Sequence, residues 1–195
     1  MCLTENDLSM DFLYTARGTY DKDYDGDGMS WGSYIEWARL PHLTELVSLD
    51  GMLNDVLVEP DYNNELDWDF IHVVEFYQTN FFTTVDYVFR RMAPRNKFNL
   101  LTVVVEPDRA CSDILVDGYE FVGYELLDQE FDISALTNCG GFDESFLPSD
   151  LNDKGLISDF KKAYEIKKLL LENNPEEHHA DTNVIAVWRH KTIGR

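Results

Sequence analysis

The chain has 195 residues, 37 of them acidic and 16 basic, for a formal net charge of −21, and 13% of it is aromatic. That length suits one domain with a sizeable core, and so aromatic a composition excludes extensive disorder. The charge opposes direct contact with nucleic acid or an anionic membrane surface and favours a basic protein partner.

The opening MCLTENDLSMDFLYTARG has no basic segment followed by an apolar core, so no secretory signal is expected, and nowhere is there an apolar run long enough to span a membrane. Within it MDFLYTA reads as a short strand. The Asp/Gly loop DKDYDGDG (21–28) follows, and then WGSYIEWARL, a short helix halted before Pro41. PHLTELVSLDGML reads as a second short helix, with Pro41 near its first turn and Leu43, Leu46, Val47 and Leu49 on an apolar side. DVLVEP reads as a strand closed by Pro60.

In WDFIHVVEFYQTNFFTTVDYVFRRM the alternation over Phe70–Tyr77 predicts a strand. From Asn80 onward, Phe81, Val85, Val88, Phe89 and Met92 fall at helical spacing, and Arg90 and Arg91 complement the dipole of a last turn that stops before Pro94. FNLLTVVVEP is the clearest buried strand. GYEFVGYELL is another, expected to place Tyr119 and Phe121 on one face and Val122 and Tyr124 on the other. GLISDFKKAYEIKKLLLENN is a helix whose apolar stripe runs through Leu156, Phe160, Ala163, Tyr164, Leu170 and Leu171 and which stops before Pro175; TNVIAVWRH is a last strand. The sum is a single α+β domain over residues 1–195, with a mixed or antiparallel sheet of about four to six strands and about three to five helices.

Acid is unevenly spread. Residues 1–60 carry 12 acidic and 3 basic side chains and residues 101–160 carry 14 and 2, whereas 61–100 carry 6 and 4 and 161–195 carry 5 and 7. If the first and third regions lie side by side, they form one broad negative face.

The Asp/Gly loop resembles the front half of a helix–loop–helix calcium site. Started at Asp23, it puts Asp23, Asp25, Asp27 and Gly28 in the required places, but the closing carboxylate position falls on Tyr34; started at Asp21, it falls on Gly32. Asp23, Asp25 and Asp27 are therefore the candidate metal ligands, calcium is the one cofactor to consider, and none is otherwise expected. The histidines show no zinc spacing. Cys2, Cys111 and Cys139 are odd in number with no CxxC pair, which suits free thiols in a reducing cytoplasm. Cys139 precedes Gly140-Gly141, where a thiol could sit beside free amides, but such a pair also simply ends a helix or makes a turn. No nucleophile elbow or phosphate loop is present, and no catalytic residue is nominated.

A compact acidic chain without a catalytic motif fits best an inhibitor that docks on a basic, nuclease-like toxin, as bacterial immunity proteins do, although no family motif is matched residue by residue. On that reading the partner-binding residues are Asp21, Asp23, Asp25 and Asp27 of the loop, Trp31, Tyr34 and Trp37 as aromatic anchors, and Asp113, Asp117, Glu125, Asp128, Glu130 and Asp132 from the second acidic region. A nucleic-acid mimic blocking a DNA-binding defence protein, and an enzyme or calcium-dependent protein using Asp21–Asp27, are the alternatives.

Overall fold

The segment NLLTVVV is apolar at nearly every position, as befits a strand covered on both faces, and it lies inside the main sheet. The structure, a computed structural model, describes residues 10–74, 77–138, 145–173, 175–177 and 179–195. Among them the strands are β1 (Leu13–Arg17), β2 (Tyr20–Asp21), β3 (Glu45–Leu46), β4 (Ile71–Val74), β5 (Tyr77–Phe82), β6 (Asn99–Val105), β7 (Tyr119–Asp128) and β8 (Thr182–His190), and the α-helices are α1 (Trp31–Ala38), α2 (Glu65–Trp68), α3 (Val85–Arg91) and α4 (Phe160–Asn173). Six strands form one antiparallel sheet in the order β4-β5-β1-β6-β8-β7, and β2 pairs with β3 in a second, two-stranded sheet. The fold is α+β, and its main sheet is antiparallel rather than mixed.

The register sorts the two faces. Leu13, Thr15 and Arg17 of β1 stand opposite Val103, Leu101 and Asn99 of β6, while Val105, Val103 and Leu101 stand opposite Ile185, Val187 and Arg189 of β8. The alternate residues Ala16, Leu100, Val104, Ala186 and Trp188 form the other face. Both α3 and α4 pack there: Tyr87 and Val88 cluster with Ala16, Phe82 and Leu100, and Ala163, Ile166 and Leu170 with Val104, Val184 and Trp188. The first face is closed by irregular chain instead, through Val47, Leu49, Phe131 and Leu156.

Helix starts follow their caps. Ser30 accepts from the Ser33 N–H, Thr84 from the Tyr87 N–H, and Asp159 from the Lys162 N–H. Helix α4 thus begins after Asp159, and Leu156 lies outside the stripe assigned to it. The Thr84 cap likewise starts α3 late: Asn80, Phe81 and Phe82 continue β5, because Phe81 and Phe82 are each fully buried in different clusters on opposite faces of the sheet. The helix expected over 41–53 is absent. Its polar backbone is satisfied at long range, Thr44 and Val47 N–H donating to Asp153 and Lys154 carbonyls and Ser48 N–H to Asn54 Oδ1. DVLVEP makes only isolated bridges, Arg17 with Val56 and Val58 with Met92.

In β7 the register shifts between Phe121 and Gly123, so Phe121 meets Tyr124 and Trp188 with ring centroids 5.1 and 5.3 Å apart, against the strict alternation expected. Gly123 has φ 142°, and a Cβ there would lie 2.6 Å from Leu156 Cβ, so the bulge needs glycine. Among the described residues no helix is long and apolar enough to cross a membrane.

Candidate functional site

The Asp/Gly loop leaves β2 and enters α1 over a base of rings. Tyr20 meets Tyr24, Trp31 and Tyr34 at 4.7, 5.6 and 5.1 Å between centroids, and Tyr34 meets Trp37 at 6.2 Å. Tyr20 donates its hydroxyl to the Met29 carbonyl at 2.6 Å, and a Cβ at Gly26 would collide with the Tyr24 ring, so the loop folds back on its own aromatic. Asp21 is tied down, with Oδ2 2.7 Å from Lys97 Nζ and Oδ1 accepting the Asp23 N–H. Partial burial pushes its carboxyl up, but the Lys97 hydrogen bond, the Asp23 N–H and the Lys97 charge outweigh that and hold it below the ordinary value.

Asp23, Asp25 and Asp27 are exposed, as are the side chains of Met29 and Trp37; Trp31 is half-buried. Among the described residues no group of three or more His, Cys, Asp or Glu comes close enough to hold a metal ion, so Asp23, Asp25 and Asp27 are not gathered into such a group. Asp113, Asp117, Glu130 and Asp132 are exposed as well.

Three nominated contact residues are corrected by burial. Tyr34 is 0% exposed and donates to the Thr137 carbonyl at 3.2 Å. Asp128 is buried and its Oδ1 accepts the Asp132 and Ile133 N–H groups, clasping the turn after β7. Glu125 is 0% exposed. None of the three is a surface side chain.

Glu125 belongs to a buried polar network that joins the two acidic regions on the inside of the fold. Its Oε2 accepts from Ser48 Oγ at 2.8 Å, and its Oε1 from Ser134 Oγ at 2.8 Å and the Leu126 N–H at 3.1 Å. Asp50 accepts from the Met52 and Leu53 N–H groups through Oδ1, and from the Ser134 N–H and Asn138 Nδ2 through Oδ2. Arg17, also fully buried, brings its charge to Asp132, Asp50 and Glu125, yet none of its guanidinium nitrogens has a hydrogen bond among the described residues. Burial lowers the guanidinium to about 10 against the pull of those carboxylates, and burial pushes Glu125 up to about 7. The adjacency of the two acidic regions is therefore real between residues 44–54 and 125–154, but its central acids are interior. Such a network orders the irregular layer on the sheet and presents no reactive group to solvent.

A groove of about 640 Å³ runs beside the start of β7. Its buried Arg189 holds Glu45 at 2.8 Å and Glu120 at 3.6 Å, and Lys154 and Asp153 add one charge of each sign. Cys111 is a buried free thiol pushed up to about 11 by burial. Cys2, Cys139 and His178 lie outside the described residues.

Sequence reasoning missed Arg17, Asp50, Ser48 and Ser134. The one local signal was a charged residue closing an apolar strand, LYTAR. Comparison with protein-family models, with curated proteins and with solved structures finds no match to this chain.

Proposed function

We propose that this chain is a binding protein of the immunity or antitoxin type, which docks on a basic, nuclease-like protein through the Asp/Gly loop and the outer side of α1. The observation that carries the reading is that Asp23, Asp25 and Asp27 are exposed, and so are Met29 and, on the helix that follows the loop, Trp37, which is 39% exposed. Carboxylates on a short loop steer a basic surface into contact, and an exposed tryptophan on the helix that follows supplies the apolar anchor that interface centres favour. The ring base under the loop holds this surface in shape before contact, which lowers the ordering cost of binding. A net charge of −21 extends the same attraction over the whole molecule.

Capture from a lysate of the source cell at low and moderate salt, read by mass spectrometry, tests the proposal. The expected result is one basic protein held at a stoichiometric level and released as salt rises. An empty eluate at both salts counts against it.

A further inference from the structure

The main sheet ends in β4 on one side and β7 on the other, and among the described residues only β7 is closed. Irregular chain takes the outward groups of β7. Tyr124 N–H donates to the Ile157 carbonyl at 2.7 Å, and the Tyr124 carbonyl accepts the Ile157 N–H at 3.0 Å. The Leu126 carbonyl accepts the Ala135 N–H at 2.9 Å, and the Val122 carbonyl accepts Asn152 Nδ2 at 2.8 Å. The register of β4 shows which of its own groups face out. The Phe70 carbonyl accepts the Thr83 N–H at 2.9 Å, so Ile71 and Phe82, the next pair, do not bond each other. Val74 pairs with Tyr77 three positions on, a spacing that only an exchange of their own N–H and C=O groups can bridge. Between these ends the His72 carbonyl turns inward to the Thr79 hydroxyl at 3.0 Å. Ile71 and Val73 therefore turn N–H and C=O away from β5, and no hydrogen bond reaches those groups from elsewhere among the described residues.

Exposed edges are commonly blunted by a lysine or a proline, and IHVV has neither. The Val73 side chain is 47% exposed. Donors and acceptors at alternate positions of one strand match the backbone of another extended strand, and the four residues of β4 limit the match to a short segment. A second copy of this chain suits the edge poorly. Pairing four residues buries far less than the roughly 1,200 Å² that a stable interface needs, and each copy carries a charge of −21. The same charge draws a segment of a basic protein. Asp69 and Arg90, which share a groove at the start of the strand, offset each other, so the attraction is that of the whole molecule and not of one local pair.

We propose that β4 is a docking edge that takes a short extended segment of a basic protein as an added strand, with Ile71 and Val73 exchanging N–H to C=O bonds with it and an apolar side chain of the segment lying beside Val73. Only the source of the segment, the protein docked at the Asp/Gly loop, rests on the binding-protein reading.

The test uses the full chain labelled with nitrogen-15, titrated at low salt with a capped synthetic peptide of alternating valine and threonine between terminal lysines. The expected result is a saturable shift at millimolar peptide, centred on the amides of Ile71 and Val73. Val73→Pro removes an outward donor at an edge position where proline is tolerated, and should weaken binding about five-fold or more while the amides of β6 and β8 stay in place. The same peptide methylated on its backbone nitrogens should lose binding about ten-fold or more, a comparison that needs no variant of the protein. A glutamate-ended peptide should bind about three-fold or more weakly at low salt. No saturable shift, a shift centred elsewhere, a folded Val73→Pro variant that binds unchanged, or equal binding of the methylated or glutamate-ended peptide overturns the proposal. So do shifts of these amides that follow protein concentration without peptide, which would give the edge to a second copy. These failures leave protein capture untouched, and an empty capture leaves the peptide titration untouched.

Discussion

Replacing Glu125 by glutamine should make the protein's stability less dependent on pH. In the unfolded chain this carboxyl releases its proton near the ordinary value of 4.5, but in the folded chain burial delays release to about 7. Between those values the folded state holds more protons, so the stability owed to Glu125 is greatest below about pH 4.5 and falls as pH rises, with the loss complete above about pH 7. At about 1.4 kcal/mol per pH step, the loss between about pH 5 and about pH 8 is roughly 2 to 3 kcal/mol. Glutamine carries no such penalty. Its Oε1 can keep the Ser134 and Leu126 donors, and the Ser48 hydroxyl can turn toward Thr137 Oγ1, 3.5 Å away. Asp132, also raised by burial, and Asp21, Asp67 and Asp153, which are lowered, titrate in both proteins and cancel in the comparison. Urea unfolding followed by tryptophan fluorescence, at several pH values in this range, reads the difference. The wild type should lose roughly 2 to 3 kcal/mol more than Glu125→Gln over the interval. Parallel curves would refute the burial argument.

Three further outcomes are expected. Arg17→Met leaves Asp50, Glu125 and Asp132 facing one another without their cation and should cost about 3 kcal/mol in urea unfolding; an unchanged midpoint would show that the guanidinium does not compensate them. Gly123→Ala forces a side chain into Leu156 at φ 142° and should cost about 2 kcal/mol or more, seen as a fall in Tm, whereas a neutral result would contradict the bulge geometry. The combined replacement Asp23→Asn, Asp25→Asn and Asp27→Asn touches only exposed loop carboxylates, so its unfolding free energy should stay within about 0.5 kcal/mol of wild type; a larger loss would give those carboxylates a structural role.

The elements that sequence pattern located were those whose own residues determine them. NLLTVVV and TNVIAVWRH are buried on both faces over most of their length, and the 3.6-residue spacing of Ala163, Ile166 and Leu170 marks a helix without help from elsewhere. Residues 41–53 resisted the same treatment. Leu46, Val47 and Leu49 suit a helix face, yet Asn54 and Asp50 capture the backbone, and Asp153 and Lys154, a hundred residues away in sequence, take the remaining donors. Composition located the acidic surface but could not separate its members. Asp128 and Glu130 look alike in the sequence, but one clasps a turn inside the fold and the other is exposed. Trp37 and Tyr34 sit three residues apart on α1, and only the tryptophan lies outside. Arg17 carried one local marker, a charge closing the apolar strand LYTAR, but its partners could not be read there, because the three carboxylates that answer it come from distant segments. His72 likewise meets Thr79 only because β5 pairs back along β4.

Contact of the Asp/Gly loop and α1 with a basic partner is read from the association rate with the captured protein. Wild type is compared with the variant carrying Asp23→Asn, Asp25→Asn, Asp27→Asn and Trp37→Ala, at low and moderate salt. Slower association and a shallower salt dependence are expected for the variant, together with faster dissociation from loss of the tryptophan anchor. Identical rates for the two proteins at both salts would contradict it and remove this surface from the interface.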